Sequence, residues 1–79
     1  MAPVLSVSVS DDVLTARCMS GSHLSWVITG TDTLQYVGDK LCDWLRCRYV
    51  FLEFPGFRTV SAMDWEIKVM DLVLSMSLD

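Results

Sequence analysis

The chain has 79 residues, and its 6 basic and 10 acidic side chains give a formal net charge of −4. A chain of this length folds as one domain, so residues 1–79 are assigned to a single unit. The acidic balance argues against nucleic acid as a partner, because nucleic-acid-binding domains carry a basic footprint.

The hydrophobic content is 52% when Tyr is counted and Gly is not. With Gly counted and Tyr left out, the share is about 54%, against roughly 45–50% in ordinary globular domains. A domain this small buries only about 60–65% of the surface that its unfolded chain exposes. Part of the apolar surface is therefore expected to meet a protein partner or a second copy of the chain, which predicts a homodimer.

Targeting and membrane signals are not visible in the sequence. Residues 1–3 lack the basic and apolar regions of a secretory signal. The longest clean apolar run in the middle of the chain, residues 49–52, is far shorter than the roughly 18 residues of a membrane span. The three cysteines are an odd number, which argues against a disulfide scaffold. These features predict a cytoplasmic protein with buried thiols and no membrane association.

The first 29 residues predict three short strands. Residues 3–9 alternate between apolar side chains and serines, which is typical of a half-buried strand. Residues 13–19 and 23–29 are rich in β-branched, aromatic and other apolar side chains. Turn residues separate the three segments, so an antiparallel meander is the simplest topology.

After Gly30, the apolar residues recur at the spacing of a helix. One face of the predicted helix at 32–46 carries Leu34, Val37, Leu41, Trp44 and Leu45, at the spacing of an amphipathic helix. Thr31 or Asp32 is expected to cap its N-terminus.

Residues 48–54 form the most β-like segment of the chain. Tyr49, Phe51 and Glu53 point to one face, and Val50, Leu52 and Phe54 to the other. Large apolar groups on both faces predict a central strand, which Pro55 and Gly56 end in a turn.

The last segment fits two secondary structures. A helix at 61–76, capped by Ser61 with Asp64 three residues later, places its polar side chains on one stripe. Two strands at 65–69 and 74–78 also alternate cleanly, but they are out of phase and need a bulge between them. The helix is favoured, because it needs no such defect.

These elements predict an α+β fold, in which an antiparallel sheet of about four strands packs against two helices. The alternative is a β-rich fold with a single helix at 32–46.

A weak candidate metal site consists of Cys18, His23, Cys42 and Cys47. Zinc requires four such donors in a tetrahedron. Five helical positions turn the side chains of Cys42 and Cys47 about 140° apart, so both can reach one ion only if the helix ends near Arg46. No metal or other cofactor is expected.

Catalytic signatures are also missing from the sequence. His23 is the only histidine, and no carboxylate is specified to orient it as a general base. No nucleophile elbow and no glycine-rich phosphate loop is present. The sequence therefore predicts a protein that is not an enzyme.

A protein-binding role fits more of the features. Aromatic side chains and arginine are the preferred anchors at protein interfaces, and methionine gives an adaptable contact surface. The residues expected to contact a partner are Tyr49, Phe51, Phe57, Arg58, Trp65 and Met70. The predicted function is that of a stoichiometric inhibitor or adaptor that covers a surface of a protein partner.

In size, acidity and lack of a catalytic motif, the chain resembles the small accessory proteins with which phages and mobile elements occlude host machinery, including anti-CRISPR-type inhibitors. It is also similar to small structural subunits of larger assemblies. The first resemblance implies a host protein as the partner, and the second implies a purely structural role.

Single-stranded nucleic-acid binding through residues 46–58 is the alternative function. In that region Arg46, Arg48 and Arg58 surround the aromatic residues Tyr49, Phe51, Phe54 and Phe57. Arginines with exposed aromatic rings hold single strands through phosphate contacts and base stacking.

Overall fold

A computed structural model describes residues 3–54, 58–60 and 66–77, with the backbone alone described at 58–60 and 75–77. The elements in chain order are β1 (Val4–Ser10), β2 (Val13–Arg17), β3 (His23–Val27), α1 (Leu34–Leu45), β4 (Phe51–Phe54), β5 (Arg58–Val60) and α2 (Val69–Ser77). The arrangement is α+β, as predicted.

The described strands form a five-stranded sheet in the order β3-β2-β1-β4-β5. The pairs β1–β2 and β2–β3 are antiparallel, which confirms the predicted meander. β4 pairs with β1 in parallel and with β5 antiparallel, so the sheet is mixed and the prediction of a purely antiparallel sheet is wrong. The physical reason is the intervening helix, because a helical crossover returns the chain to the same end of the sheet.

The meander follows from the alternation of apolar and polar side chains in β1. Leu5 and Val7 have exposed fractions of 0% and 1%, whereas Ser6 and Ser8 on the opposite face are exposed. Asp11 takes φ 56° in the turn to β2, a left-handed conformation that aspartate tolerates better than most residues. The chain therefore reverses tightly, and the two strands keep the same buried face.

The helix α1 begins at Leu34 and not at residue 32, and the predicted cap at Thr31 or Asp32 is wrong. Thr33 is the N-cap, and its hydroxyl oxygen accepts a hydrogen bond of 3.2 Å from the amide of Tyr36. Asp32 does not cap the helix, because its carboxylate accepts a bond of 2.9 Å from the amide of Thr29 in the preceding turn. The predicted inward face is confirmed, since Leu34, Val37 and Leu41 are each fully buried, with Trp44 and Leu45 partly buried against the same core.

The strand β4 lies between β1 and β5, as its two apolar faces predicted. Leu52 and Phe54 of β4, together with Val50 just before it, are buried, with exposed fractions of 0%, 2% and 0%. Phe51 is half-buried and Glu53 is exposed on the opposite face.

The helix favoured for the C-terminal segment is confirmed at 69–77, so the single-helix alternative is wrong. The predicted start of this helix at Ser61 is wrong, because residues 66–68 are not helical and Lys68 instead forms a bridge with Thr33. Ser61 and Asp64 themselves lie outside the described residues. Val69 and Leu72 face the core, with exposed fractions of 0% and 4%.

The starts of the two helices are joined by backbone hydrogen bonds. The amide of Leu34 donates to the carbonyl of Ile67 over 2.9 Å, and the amide of Val69 donates to the carbonyl of Asp32 over 3.0 Å. These bonds form a one-residue antiparallel bridge between Thr33 and Lys68. Both helices therefore contribute to one core, and they cover one face of the sheet.

The two faces of β1 give the first prediction. Leu5→Ala should lower the free energy of unfolding by about 2–5 kcal/mol, because it leaves a cavity in the core. The neighbouring Val4→Ala should cost less than about 1 kcal/mol, because the surface packing that it changes contributes little. Val4 is 43% exposed. Urea unfolding followed by far-UV circular dichroism measures both, and equal costs would show that the faces are wrongly assigned.

Candidate interaction surface

The side of the sheet away from the helices is here called the open face. Its side chains alternate along each strand with the buried ones, as the pleat of a sheet requires. Its described members are Val4, Ser6, Ser8, Ser10, Val13, Thr15, Arg17, His23, Ser25, Val27, Phe51 and Glu53.

Strand register arranges the open face in cross-strand rows. One row carries charge, because Ser6 lies opposite Arg17 on one side and Glu53 on the other, and Arg17 lies opposite His23. The next row carries hydroxyl groups, and the Oγ1 of Thr15 lies 2.9 Å from the Oγ of Ser25. The middle of the open face is therefore polar.

Apolar side chains flank these rows at one end, in a group here called the apolar corner: Val4, Met19, Tyr49 and Phe51. Val4 and Phe51 are partners in the parallel pairing of β1 and β4. The rings of Tyr49 and Phe51 pack edge to face with centroids 5.1 Å apart. Met19, in the turn after β2, is 98% exposed.

A depression of about 440 Å³ lies between the apolar corner and the charged row. It is lined by Val4, Ser6, Arg17, Cys18, Met19 and Glu53. A partner side chain placed there would meet two apolar groups, a cation and a carboxylate together.

The opposite end of the open face has a smaller apolar group. Val13 and Val27 are cross-strand partners, with exposed fractions of 38% and 63%. Beyond them, on the helical side, the Nζ of Lys40 lies 5.2 Å from the ring centroid of Trp26 and 6.0 Å from that of Tyr36. Both groups include a residue of β3, which is an edge strand of the sheet, so they are separate from the apolar corner.

The structure brings two of the predicted partner-binding residues together, namely Tyr49 and Phe51. Met70 lies elsewhere, because it packs against the core from α2. Arg58 lies in β5, where the backbone alone is described. Phe57 and Trp65 lie outside the described residues.

Sequence reasoning missed Val4, Arg17, Met19 and Glu53 as members of this surface. Val4 is separated from Ser6 and Ser8 by steps of two residues. The alternation along β1 therefore indicated that Val4 faces away from the core. The proximity of Glu53 to Ser6 had no such signal, because it depends on the parallel pairing.

Not all of the residues proposed to bind single-stranded nucleic acid have exposed side chains. Arg46 and Arg48 are exposed, but Phe54 is 2% exposed and belongs to the core. Base stacking requires an accessible ring face, so Phe54 is excluded from that role.

The candidate metal ligands are only partly brought together. α1 ends at Leu45, Arg46 takes the left-handed conformation with φ 54° and ψ 47°, and the amide of Cys47 donates to the carbonyl of Cys42 over 3.1 Å. The helix therefore ends near Arg46, which is the condition under which Cys42 and Cys47 could both reach one ion. Within residues 3–54, 58–60 and 66–77, no three side chains of His, Cys, Asp or Glu are grouped so that they could hold a metal ion.

Burial raises the pKa of the Cys42 thiol above its ordinary value of 9.0. The neighbouring Cys47 thiol adds to the shift through its charge and through a hydrogen bond, and the carboxylates of Asp39 and Asp43 add smaller contributions. Each of these causes disfavours the thiolate, either by desolvation or by repulsion between like charges.

Comparison of the chain with protein-family models, with curated proteins and with solved structures found no match. No helix in the described part of the chain has the length and apolar character needed to cross a membrane.

The raised pKa of Cys42 predicts slow alkylation, because the thiolate is the reacting form. In the reduced protein, the midpoint of the alkylation rate of Cys42 should lie above pH 9.0. Asp39→Asn with Asp43→Asn should move the midpoint to lower pH by removing repulsion, while burial keeps it higher than that of an exposed thiol.

The rate is measured by iodoacetamide labelling with peptide mass spectrometry. Asp11→Asn with Asp12→Asn is the matched control, since it removes the same charge in the β1–β2 turn. An equal shift in both double variants would mean that the carboxylates near Cys42 have no local effect.

Proposed function

We propose that this protein is a small non-catalytic binding module, which acts as a stoichiometric inhibitor or adaptor by covering a surface of a protein partner with its open face. The observation that carries this proposal is the apolar corner. Val4 and Met19 are 43% and 98% exposed there, directly beside the depression that contains Arg17 and Glu53.

The chemistry of this surface suits a protein better than a nucleic acid. Interfaces between proteins combine aromatic, methionine and arginine contacts with a polar surround, and the apolar corner beside the charged row has that composition. Glu53 lies in the depression, where its carboxylate would repel a phosphate backbone.

The proposed setting is the cytoplasm. All three cysteines are free thiols, which fits a reducing compartment. If the chain is an accessory protein of a phage or mobile element, its partner is a host protein, and the lysate to be tested is that of the host.

The proposal is tested by affinity capture with variants of the open face. Val4→Asp and Arg17→Glu should each reduce the amount of captured partner at least tenfold, which corresponds to about 1.4 kcal/mol. Lys68→Glu is the matched control for Arg17→Glu, because it makes the same charge change at an exposed position between the helix starts. Quantitative mass spectrometry measures the captured protein.

The proposal is supported if wild type and Lys68→Glu retain a partner that both open-face variants lose. Equal capture by all four proteins would contradict it. Circular dichroism of each variant shows whether a loss of capture comes from unfolding instead.

The single-strand alternative is tested with a labelled oligonucleotide at low and high salt. Phosphate contacts make such binding strongly salt-dependent. We expect no binding at low salt, and salt-sensitive micromolar binding would replace the protein-binding proposal with the alternative.

The proposed homodimer is tested by light scattering at high micromolar protein concentration. The expected mass is twice that of the 8.9 kDa chain. A mass of 8.9 kDa would refute the dimer, while leaving a complex with a different partner open to the capture experiment.

A further inference from the structure

The end of α1 places two cysteines against each other. The amides of Arg46 and Cys47 both donate to the carbonyl of Cys42, and the bond from Cys47 is the 6→1 bond that closes Schellman-type helix ends. Arg46, the residue that turns the chain, has φ 54°, a conformation that glycine usually supplies at this position. This motif brings residue 47 back over residue 42, and a continued helix would have carried the two side chains apart.

The backbone alone limits the separation of the two residues. Since the amide of Cys47 lies 3.1 Å from the carbonyl oxygen of Cys42, covalent geometry keeps their Cα atoms within about 7 Å. Disulfides join Cα atoms that are about 4.4–6.8 Å apart. The native turn therefore holds the pair at or near disulfide spacing, without unwinding of the helix.

Both thiols are free and half-buried, so they are neither sealed in the core nor fully exposed. Cys18 has the same partial burial, but it lies at the end of β2, beside the depression of the open face. Cys42 and Cys47 therefore form a pair at the end of α1, and Cys18 lies in a different part of the fold.

We propose that Cys42 and Cys47 form a dithiol modification site, which closes to an intramolecular disulfide by exchange with a small disulfide such as oxidised glutathione. In the first step, one cysteine thiolate attacks a glutathione sulfur, and a mixed disulfide forms as one glutathione thiolate leaves. In the second step, the other cysteine thiolate attacks the protein sulfur of the mixed disulfide, and the second glutathione leaves. Two protein thiols are oxidised, one glutathione disulfide is reduced to two thiols, and the two protein protons pass to them through solvent.

The electrostatics of the pair agree with its geometry. The Cys47 thiol is among the causes that raise the pKa of Cys42, as is expected for the residues that the turn brings together. Either cysteine can form the mixed disulfide, and the other then resolves it.

The experiment equilibrates the full-length protein in mixtures of oxidised and reduced glutathione, traps free thiols with an alkylating reagent and maps the products by mass spectrometry. Trypsin cuts after Lys40, Arg46 and Arg48, so the internal disulfide appears as two linked peptides. The equilibrium constant for closure should be at least about tenfold larger in the folded protein than in urea, because the turn raises the effective concentration of one thiol near the other.

Two variants separate the paired thiols from the remaining one. Cys18→Ser should form the 42–47 disulfide as the wild type does. Cys42→Ser should instead accumulate glutathione on Cys47, because the resolving thiol has been removed.

Three results would overturn the proposal: closure no more favourable in the folded protein than in urea, glutathione on all three cysteines with no internal bond, or a disulfide that includes Cys18. Far-UV circular dichroism before and after oxidation checks that the helix is kept.

Discussion

The parallel pairing of β1 with β4 is the constraint on which the rest of the structure depends. Parallel strands cannot be joined by a tight turn, because the chain has to return to the end of the sheet where the first strand began. Here the returning segment contains α1, whose Leu34, Val37 and Leu41 are fully buried. Because α2 is bonded to the start of α1 and shares the same core, both helices lie over one face of the sheet.

Both helices cover the same face of the sheet. This arrangement explains where the excess of hydrophobic residues in this small chain is located. Much of it is core, since Val50, Leu52 and Val69 are fully buried. The remainder includes Val4 and Met19, which lie at an end of the sheet that neither helix covers. The serines and threonines of β1, β2 and β3 keep most of the open face compatible with water, so its apolar part is confined to small groups. This confinement is the physical basis of the proposed binding surface.

The sequence predicted features that depend on local periodicity and did not predict those that depend on pairing between distant segments. The alternation in β1 and the helical spacing from Leu34 to Leu45 gave the correct elements and the correct buried faces. The parallel register that sets Val4 beside Phe51 has no local signature. β5 is a strand of 3 residues, which is too short for a periodic signal. The end of α1 was predicted to within one residue, but the left-handed turn at Arg46 was not, because sequence patterns associate that conformation with glycine.

The claim that the open face binds a protein is tested most directly by methyl NMR of the chain with its captured partner. Val4 and Met19 provide probes in the apolar corner, and Leu74, which is 58% exposed on α2, provides a probe of the helical layer. The structure predicts large shift changes or broadening at Val4 and Met19, with Leu74 unchanged. Changes at Leu74 with Val4 and Met19 unaffected would contradict the account, because the partner would then cover the helices and leave the open face free.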